Sequence, residues 1–146
     1  MKLADKTPKG QTETLEFEFD LAHAPTKVWR ALTDPELLSQ WLLPVIDLEL
    51  EHDAAFNFMA PPQPGWDGVV GCRFIEIDPP RKLSYSWDVA DMHTVVTFTL
   101  TPIDSGTLLT LVQTGFNEEQ KRNFGGARYG WRMMGERLIR VLDAVQ

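Results

Sequence analysis

Polar and apolar residues alternate without a break in TLEFEFDL, residues 14–21. Leu15, Phe17, Phe19 and Leu21 share one side; Glu16, Glu18 and Asp20 share the other. A period of two with one apolar side predicts a half-buried strand. Residues 1–12 show no period and are expected to form a flexible N-terminal tail. After the strand the period lengthens. Pro25 suits the first position of a helix, and Val28, Trp29 and Leu32 form a short apolar face. Asp34-Pro35 restarts the pattern as a cap and a first turn, Leu37, Leu38 and Trp41 follow at helical spacing, and Pro44 ends it.

Beyond Pro44 the period returns to two. VIDLEL and AFNFMA alternate, a Pro/Gly-rich loop covers 61–68, and CRFIEID reads as a strand ended by Pro79-Pro80. Leu83, Tyr85 and Trp87 share a face, as do Val96, Phe98 and Leu100. Asp104-Ser105-Gly106 is a tight turn into TLLTLVQT, where Leu109, Leu111 and Gln113 fall on one side. Asn117 and Gln120 have capping-box spacing. Gly125-Gly126 is expected to interrupt the segment, and from Ala127 a stripe of Trp131, Met134, Leu138, Leu142 and Val145 predicts a long amphipathic helix. The order of elements predicts an α+β domain over residues 13–146. About six to seven antiparallel strands curve around the long C-terminal helix, with two short helices after the first strand.

Composition narrows the function classes. Of 146 residues, 14 are Lys or Arg and 21 are Asp or Glu, giving a net charge of −7. That balance opposes phosphate backbones and anionic bilayers, so nucleic acid and membrane insertion are not expected as partners. The single cysteine, Cys72, excludes an internal disulfide and a CxxC site, and its strand position reads as a small buried hydrophobe. No N-terminal apolar region resembles a signal peptide, so a cytoplasmic location is expected. His23, His52 and His93 are dispersed, without metal-ligand spacing, and no metal or other cofactor is expected.

Four stretches in order, LAHAPTKVWRALTDPELLSQWLLP, GCRFIEIDPPRKLSYSWDV, VTFTLTPIDSGTLLTLVQTGF and GWRMMGERL, resemble the START-like (SRPBCC) superfamily. The branch they are most similar to is the C-terminal domain of the activator of heat-shock-protein-90 ATPase. The resemblance runs from about Leu15 to Leu142. It implies a helix-grip fold with a cavity between the sheet and the C-terminal helix, and members of the superfamily commonly bind hydrophobic small molecules. Ala54-Ala55 stands where the branch often has a glycine pair.

The residues themselves supply little catalytic chemistry. No GxSxG occurs, and Glu76, on the strand parity of Phe74, reads as exposed. No catalytic residue is assigned. A binder of a small hydrophobic molecule, aromatic or lipid-like, is favoured over an enzyme. Its candidate lining is Trp41, Phe58, Trp66, Phe74, Tyr85, Trp87, Phe98, Gln113, Trp131, Met134 and Leu138, with Trp41 and Trp66 at the mouth. Thr97, Thr99, Tyr85 and Gln113 are the candidate hydrogen-bonding points. Gln113 is the sharpest hint, because an amide stands where leucine would pack better. A dry void of about 300 Å³ would cost roughly 7 kcal/mol, a large part of a domain's stability of about 5–15 kcal/mol. The interior must therefore collapse, admit water or hold a ligand. The alternative readings are a chaperone-linked interaction module and, last, a cyclase or hydrolase-type enzyme. A homodimer is the expected assembly.

Overall fold

The computed structural model of the protein describes residues 2–145. Eight strands form one antiparallel sheet in the order β1-β2-β8-β7-β6-β5-β4-β3. They are β1 (Lys2–Asp5), β2 (Thr14–Leu21), β3 (Val45–Ile46), β4 (Ala55–Met59), β5 (Val69–Asp78), β6 (Lys82–Val89), β7 (Met92–Ile103) and β8 (Gly106–Thr114). Helices α1 (Pro25–Thr33) and α2 (Pro35–Trp41) follow β2, and α3 (Lys121–Ala144) closes the chain after a 3₁₀ turn at Glu118–Gln120. This is the expected helix-grip arrangement, with one strand more than six to seven.

The additional strand comes from the segment expected to be a flexible tail. Lys2–Asp5 pairs with Phe17–Asp20, in register Lys2 to Asp20 and Asp5 to Phe17. Four residues are too short a run to display a period. What fixes them is tertiary: Arg128 Nε and Arg132 Nη2 on α3 donate to Asp5 Oδ2 at 2.6 and 2.9 Å, and Thr7 N–H donates to Oδ1 at 3.0 Å.

The period-two readings hold along β2, β6, β7 and β8, where the predicted inward residues are buried. VIDLEL is the exception. Only Val45–Ile46 is strand, and Asp47 takes φ +62°, which turns the chain away from the sheet. Near the Ala54-Ala55 position it is Asp53 that takes the left-handed turn, at φ +69°, a conformation aspartate tolerates. Asp34 caps α2 through Glu36 N–H at 2.9 Å, as its position predicts.

In β5, Phe74 pairs with Tyr85 and Glu76 with Ser84, so Ile75 is an extra residue in a β-bulge. The bulge breaks the simple parity. It carries Ile77 toward the core, leaves Ile75 44% exposed, and puts Glu76 outside, 3.3 Å from Lys82 Nζ.

The helix α3 starts at Lys121, six residues before the expected Ala127, and runs through Gly125-Gly126 without a break. Asn117 and Gln120 form the expected capping box just upstream, and Phe124 stacks edge-on against Phe116 at 5.2 Å. A fixed start and an anchored first turn offset the weak helix propensity of two glycines. The backbone of α3 lies close to β1 and β2 and to α1 and α2. At Gly135 it comes so near β2 that a Cβ would stand 2.6 Å from Phe19 Cε2.

The Asp5 clamp has a pH signature. Burial alone would raise the Asp5 carboxyl, but its bonds to Arg128 and Thr7 outweigh that and lower it from 3.8 to about 2. A depressed carboxyl stabilises the fold above its unfolded value and loses that contribution as pH falls through the folded one. Asp5→Asn should cost about 1–2 kcal/mol at neutral pH, since the arginines are partly exposed and screened. Urea titrations of both proteins should show that difference at pH 7 and show it vanish as pH falls toward 2.

Candidate functional site

The concave face of the sheet is set by alternation. Phe56 and Phe58 on β4, Cys72 and Phe74 on β5, Tyr85 and Trp87 on β6, and Phe98 on β7 all point inward and are buried. With Trp131 from α3 they close a ring of contacts: Phe98 to Trp131 at 6.2 Å, Trp131 to Trp87 at 5.5 Å, Trp87 to Phe58 at 5.4 Å, Phe58 to Tyr85 and Tyr85 to Phe98 both at 6.1 Å. Most pairs are tilted or edge-on, as ring quadrupoles prefer. Tyr85 also meets Phe56 at 5.2 Å and Phe74 at 5.9 Å, so it is the hub of the cluster.

Nine of the eleven candidate lining residues therefore lie in one buried core: Trp41, Phe58, Phe74, Tyr85, Trp87, Phe98, Gln113, Trp131 and Leu138. Met134 packs against that core half-buried. Trp41 is within it, 6.4 Å from Phe98, with its Nε1 donating to the Ala31 carbonyl at 2.8 Å. Trp66 is placed differently. It borders a surface groove with Val69, Gly71 and Asp88, whose strand parity is the outward one.

Gln113 is fully buried and faces α3. Trp131 Nε1–H donates to Gln113 Oε1 at 2.7 Å; Gln113 Nε2–H donates to Thr94 Oγ1 at 2.9 Å; Thr94 Oγ1–H donates to the Trp87 carbonyl at 2.8 Å. The relay ties α3 to β8, β7 and β6 and satisfies every polar atom in it. Thr94 was not among the expected hydrogen-bonding points, although its parity with Val96 and Phe98 marks it as inward. Thr97 and Thr99 have the opposite parity and face out, where Thr97 Oγ1 lies 3.0 Å from Ser84 Oγ.

Tyr85 differs from its neighbours. Its ring is 2% exposed, and its hydroxyl has no hydrogen-bond partner among the described residues. Among those residues no sealed side-chain nitrogen or oxygen lacks a partner, so the Tyr85 hydroxyl keeps a small opening. Burial pushes the Tyr85 phenol well up, and the nearby Cys72 adds to it; burial likewise pushes the Cys72 thiol up, aided by the Asp88 charge. Both stay protonated at neutral pH, so neither supplies an anionic nucleophile and Tyr85 offers neutral hydrogen bonding. No group of three His, Cys, Asp or Glu side chains among the described residues could hold a metal ion.

The model of one family, the activator of Hsp90 ATPase homolog 1-like proteins, matches residues 22–143. Protein MLL2253 from Mesorhizobium loti is 39% identical, over 91% of this chain and 98% of that one, with a TM-score of 0.84. A Rhodobacter sphaeroides protein is 23% identical over 99% and 100%, with a TM-score of 0.76. BH1534 from Bacillus halodurans is 26% identical over 90% and 99%, with a TM-score of 0.75. No curated protein matches the chain. The chain belongs to the activator of Hsp90 ATPase homolog 1-like family, within the SRPBCC superfamily. No helix among the described residues is long and apolar enough to cross a membrane.

The relay can be tested by a double-mutant cycle. Gln113→Leu orphans Trp131 Nε1 in the core and should cost about 1–3 kcal/mol. Trp131→Phe leaves the Gln113 amide short of a donor and should cost a comparable amount. The double variant should be less destabilised than the sum of the two, with a coupling of at least about 1 kcal/mol in chemical denaturation.

Proposed function

We propose that this family member binds a small aromatic or lipid-like molecule between the concave face of the sheet and α3, with the Tyr85 hydroxyl as its hydrogen-bond partner. The observation that carries the reading is the state of that hydroxyl. Every sealed polar side-chain atom among the described residues is paired, whereas this hydroxyl, at the hub of the aromatic ring, makes no hydrogen bond among them. A ligand carrying one carbonyl or hydroxyl would satisfy it at the end of an otherwise apolar body, the usual composition of such sites.

The cluster is closed by ring contacts, so a ligand would part them and occupy what it opens. Opening about 300 Å³ without filling it would cost roughly 7 kcal/mol. Only a molecule that fills the space can bind, and affinity should rise with apolar volume until the space is full. About 300 Å² of buried apolar ligand contributes roughly 7.5 kcal/mol, against at least about 4 kcal/mol for association, which sets millimolar affinity before the polar anchor.

Tryptophan fluorescence should report this, since Trp87 and Trp131 belong to the ring. Titration with a panel of flavonoids, fatty acids and sterols is expected to give a saturable change with at least one class. Tyr85→Phe should weaken that ligand about fivefold, the worth of one hydrogen bond of about 1 kcal/mol. A panel without any saturable response would remove the reading.

A second reading, a chaperone-linked interaction module, draws on the family description and on one surface feature. Tyr129 is 66% exposed and Met133 37%, one turn apart on the solvent side of α3. Large apolar side chains paired on a free helix face suit a protein partner. Stoichiometric domain should then stimulate the ATPase of purified heat-shock protein 90, and Tyr129→Ala should lose the effect. A rate unchanged by the wild-type domain counts against it.

A further inference from the structure

The outer side of the sheet carries a second constellation, which does not depend on the inner site. A surface groove of about 470 Å³ runs along β5 and β6, lined by Trp66, Asp67, Val69, Gly71, Asp88 and neighbouring backbone. Its walls are built, not loose. Gln63-Pro64-Gly65-Trp66 is a tight turn with Gly65 at φ +83°, closed by Trp66 N–H to the Gln63 carbonyl and Gln63 N–H to the Trp66 carbonyl, both 2.9 Å. Proline before a positive-φ glycine is the preference of a type II turn. Gly68 lets the loop close on β4: a Cβ there would meet the Ala60 carbonyl oxygen at 2.1 Å.

This frame holds the Trp66 indole half-buried against the core at the start of β5, with its Nε1 donating to the Val69 carbonyl at 3.0 Å. Its one polar atom is thus committed, and the indole offers the groove only π surface and C–H. Gly71 supplies a floor without a side chain, open enough that an added Cβ would meet nothing closer than Asn57 Oδ1 at 4.0 Å. Both ionisable side chains in the lining, Asp67 and Asp88, are carboxylates, and neither lysine nor arginine joins them. Arg73, the next outward residue on β5, donates instead to the Asp53 carbonyl at 2.6 Å. Asp88 Oδ1 lies 3.2 Å from His93 Nδ1, and Asp67 Oδ1 accepts Val69 N–H at 3.0 Å, which leaves each carboxylate a further oxygen.

We propose that the Trp66–Gly71–Asp88 groove binds a small organic ammonium ion. An indole and a carboxylate lining one groove, over a floor without bulk, have the chemistry that such cations select. The ring quadrupole attracts the weakly hydrated cation, and the carboxylate rejects anions and prefers a cation to a neutral body of equal shape. The groove is open to solvent, so binding is weak, about tens of millimolar, and the cation rather than its substituents is what is read.

Choline is the probe, and its carbon isostere 3,3-dimethylbutan-1-ol is the control, each titrated at constant ionic strength into the ¹⁵N-labelled full chain. The Trp66 indole N–H and the Gly71 amide are the reporters. Choline should shift both in a saturable way, with the alcohol at least tenfold weaker. Asp88→Asn should weaken choline about threefold with the rest of the spectrum retained, and Trp66→Leu should abolish the Gly71 shift. His93→Gln, which leaves the carboxylate in place, should bind choline as well as the wild type. Equal response to choline and the alcohol, or none with choline up to about 500 mM, several times the dissociation constant expected of two exposed contacts, overturns the proposal. So does a loss in His93→Gln as large as in Asp88→Asn, which would attribute the effect to the hairpin rather than to the carboxylate.

Discussion

One helix cannot roof eight strands. An α-helix with its side chains is about 10–12 Å across, whereas strands spaced about 4.8 Å apart make an eight-stranded sheet roughly 34 Å wide before curvature. Where α3 sits therefore decides what must cover the rest. It is seated at the β1–β2 end by Gly135, which lets it touch Phe19, and by Asp5, which holds Arg128 and Arg132. On the opposite half α1 lies against β7 and α2 against β3, and the span between them, β4 to β6, is covered by side chains. That requirement explains the run of inward aromatics: long, flat residues reach across a gap that leucine would leave open. Trp131 is the longest reach from the helix side, and the Gln113–Thr94 relay fixes where it lands.

Much of this was legible in the chain. Period-two patterns in β2, β6, β7 and β8 have one apolar side, so burial and sequence say the same thing there. The short helices were legible through Pro25, Asp34 and Pro35, whose preferences are local. What escaped depends on contacts across the molecule. Lys2–Asp5 becomes a strand because α3 brings two arginines to Asp5. Gly125-Gly126 stays helical because Phe124 and the capping box secure the first turn. The Ile75 bulge reverses the meaning of parity beyond Phe74, which no period can announce.

Gln113 shows how a correct reading of position can leave its role open. Its inward place follows from Leu109 and Leu111. An amide among leucines has two physical explanations: it waits for a ligand, or it binds another part of the protein. Trp131 and Thr94 take both ends of it, so the amide serves the fold. Among the described residues it is the inward hydroxyl of Tyr85 that has no protein partner, a role that polar and apolar periodicity cannot reveal because the tyrosine ring packs like phenylalanine. Trp66 is a similar case. From sequence it was a loop aromatic at the mouth of the site; in the fold it packs half-buried against the core and borders the outer groove, with its Nε1 on the Val69 carbonyl.

Trp87 and Asp88 join the two faces. Consecutive residues of a strand point to opposite sides, so the indole that closes the inner ring and the carboxylate that lines the outer groove share one stretch of backbone. Thr94 accepts Gln113 on the inside and donates to the Trp87 carbonyl, and so fixes that same stretch from β7. A sheet one residue thick cannot be reshaped on one side alone. Any opening of the aromatic ring that shifts Trp87 must either bend β6 at Asp88 or be absorbed by side-chain rotation. The relay through Thr94 resists the first, because the bend would strain a buried hydrogen bond that has no water to replace it. Rotation of the rings about their own bonds is therefore the cheaper way for this core to open, and the backbone on the outer face is held in place by the polar contacts that organise the inner one.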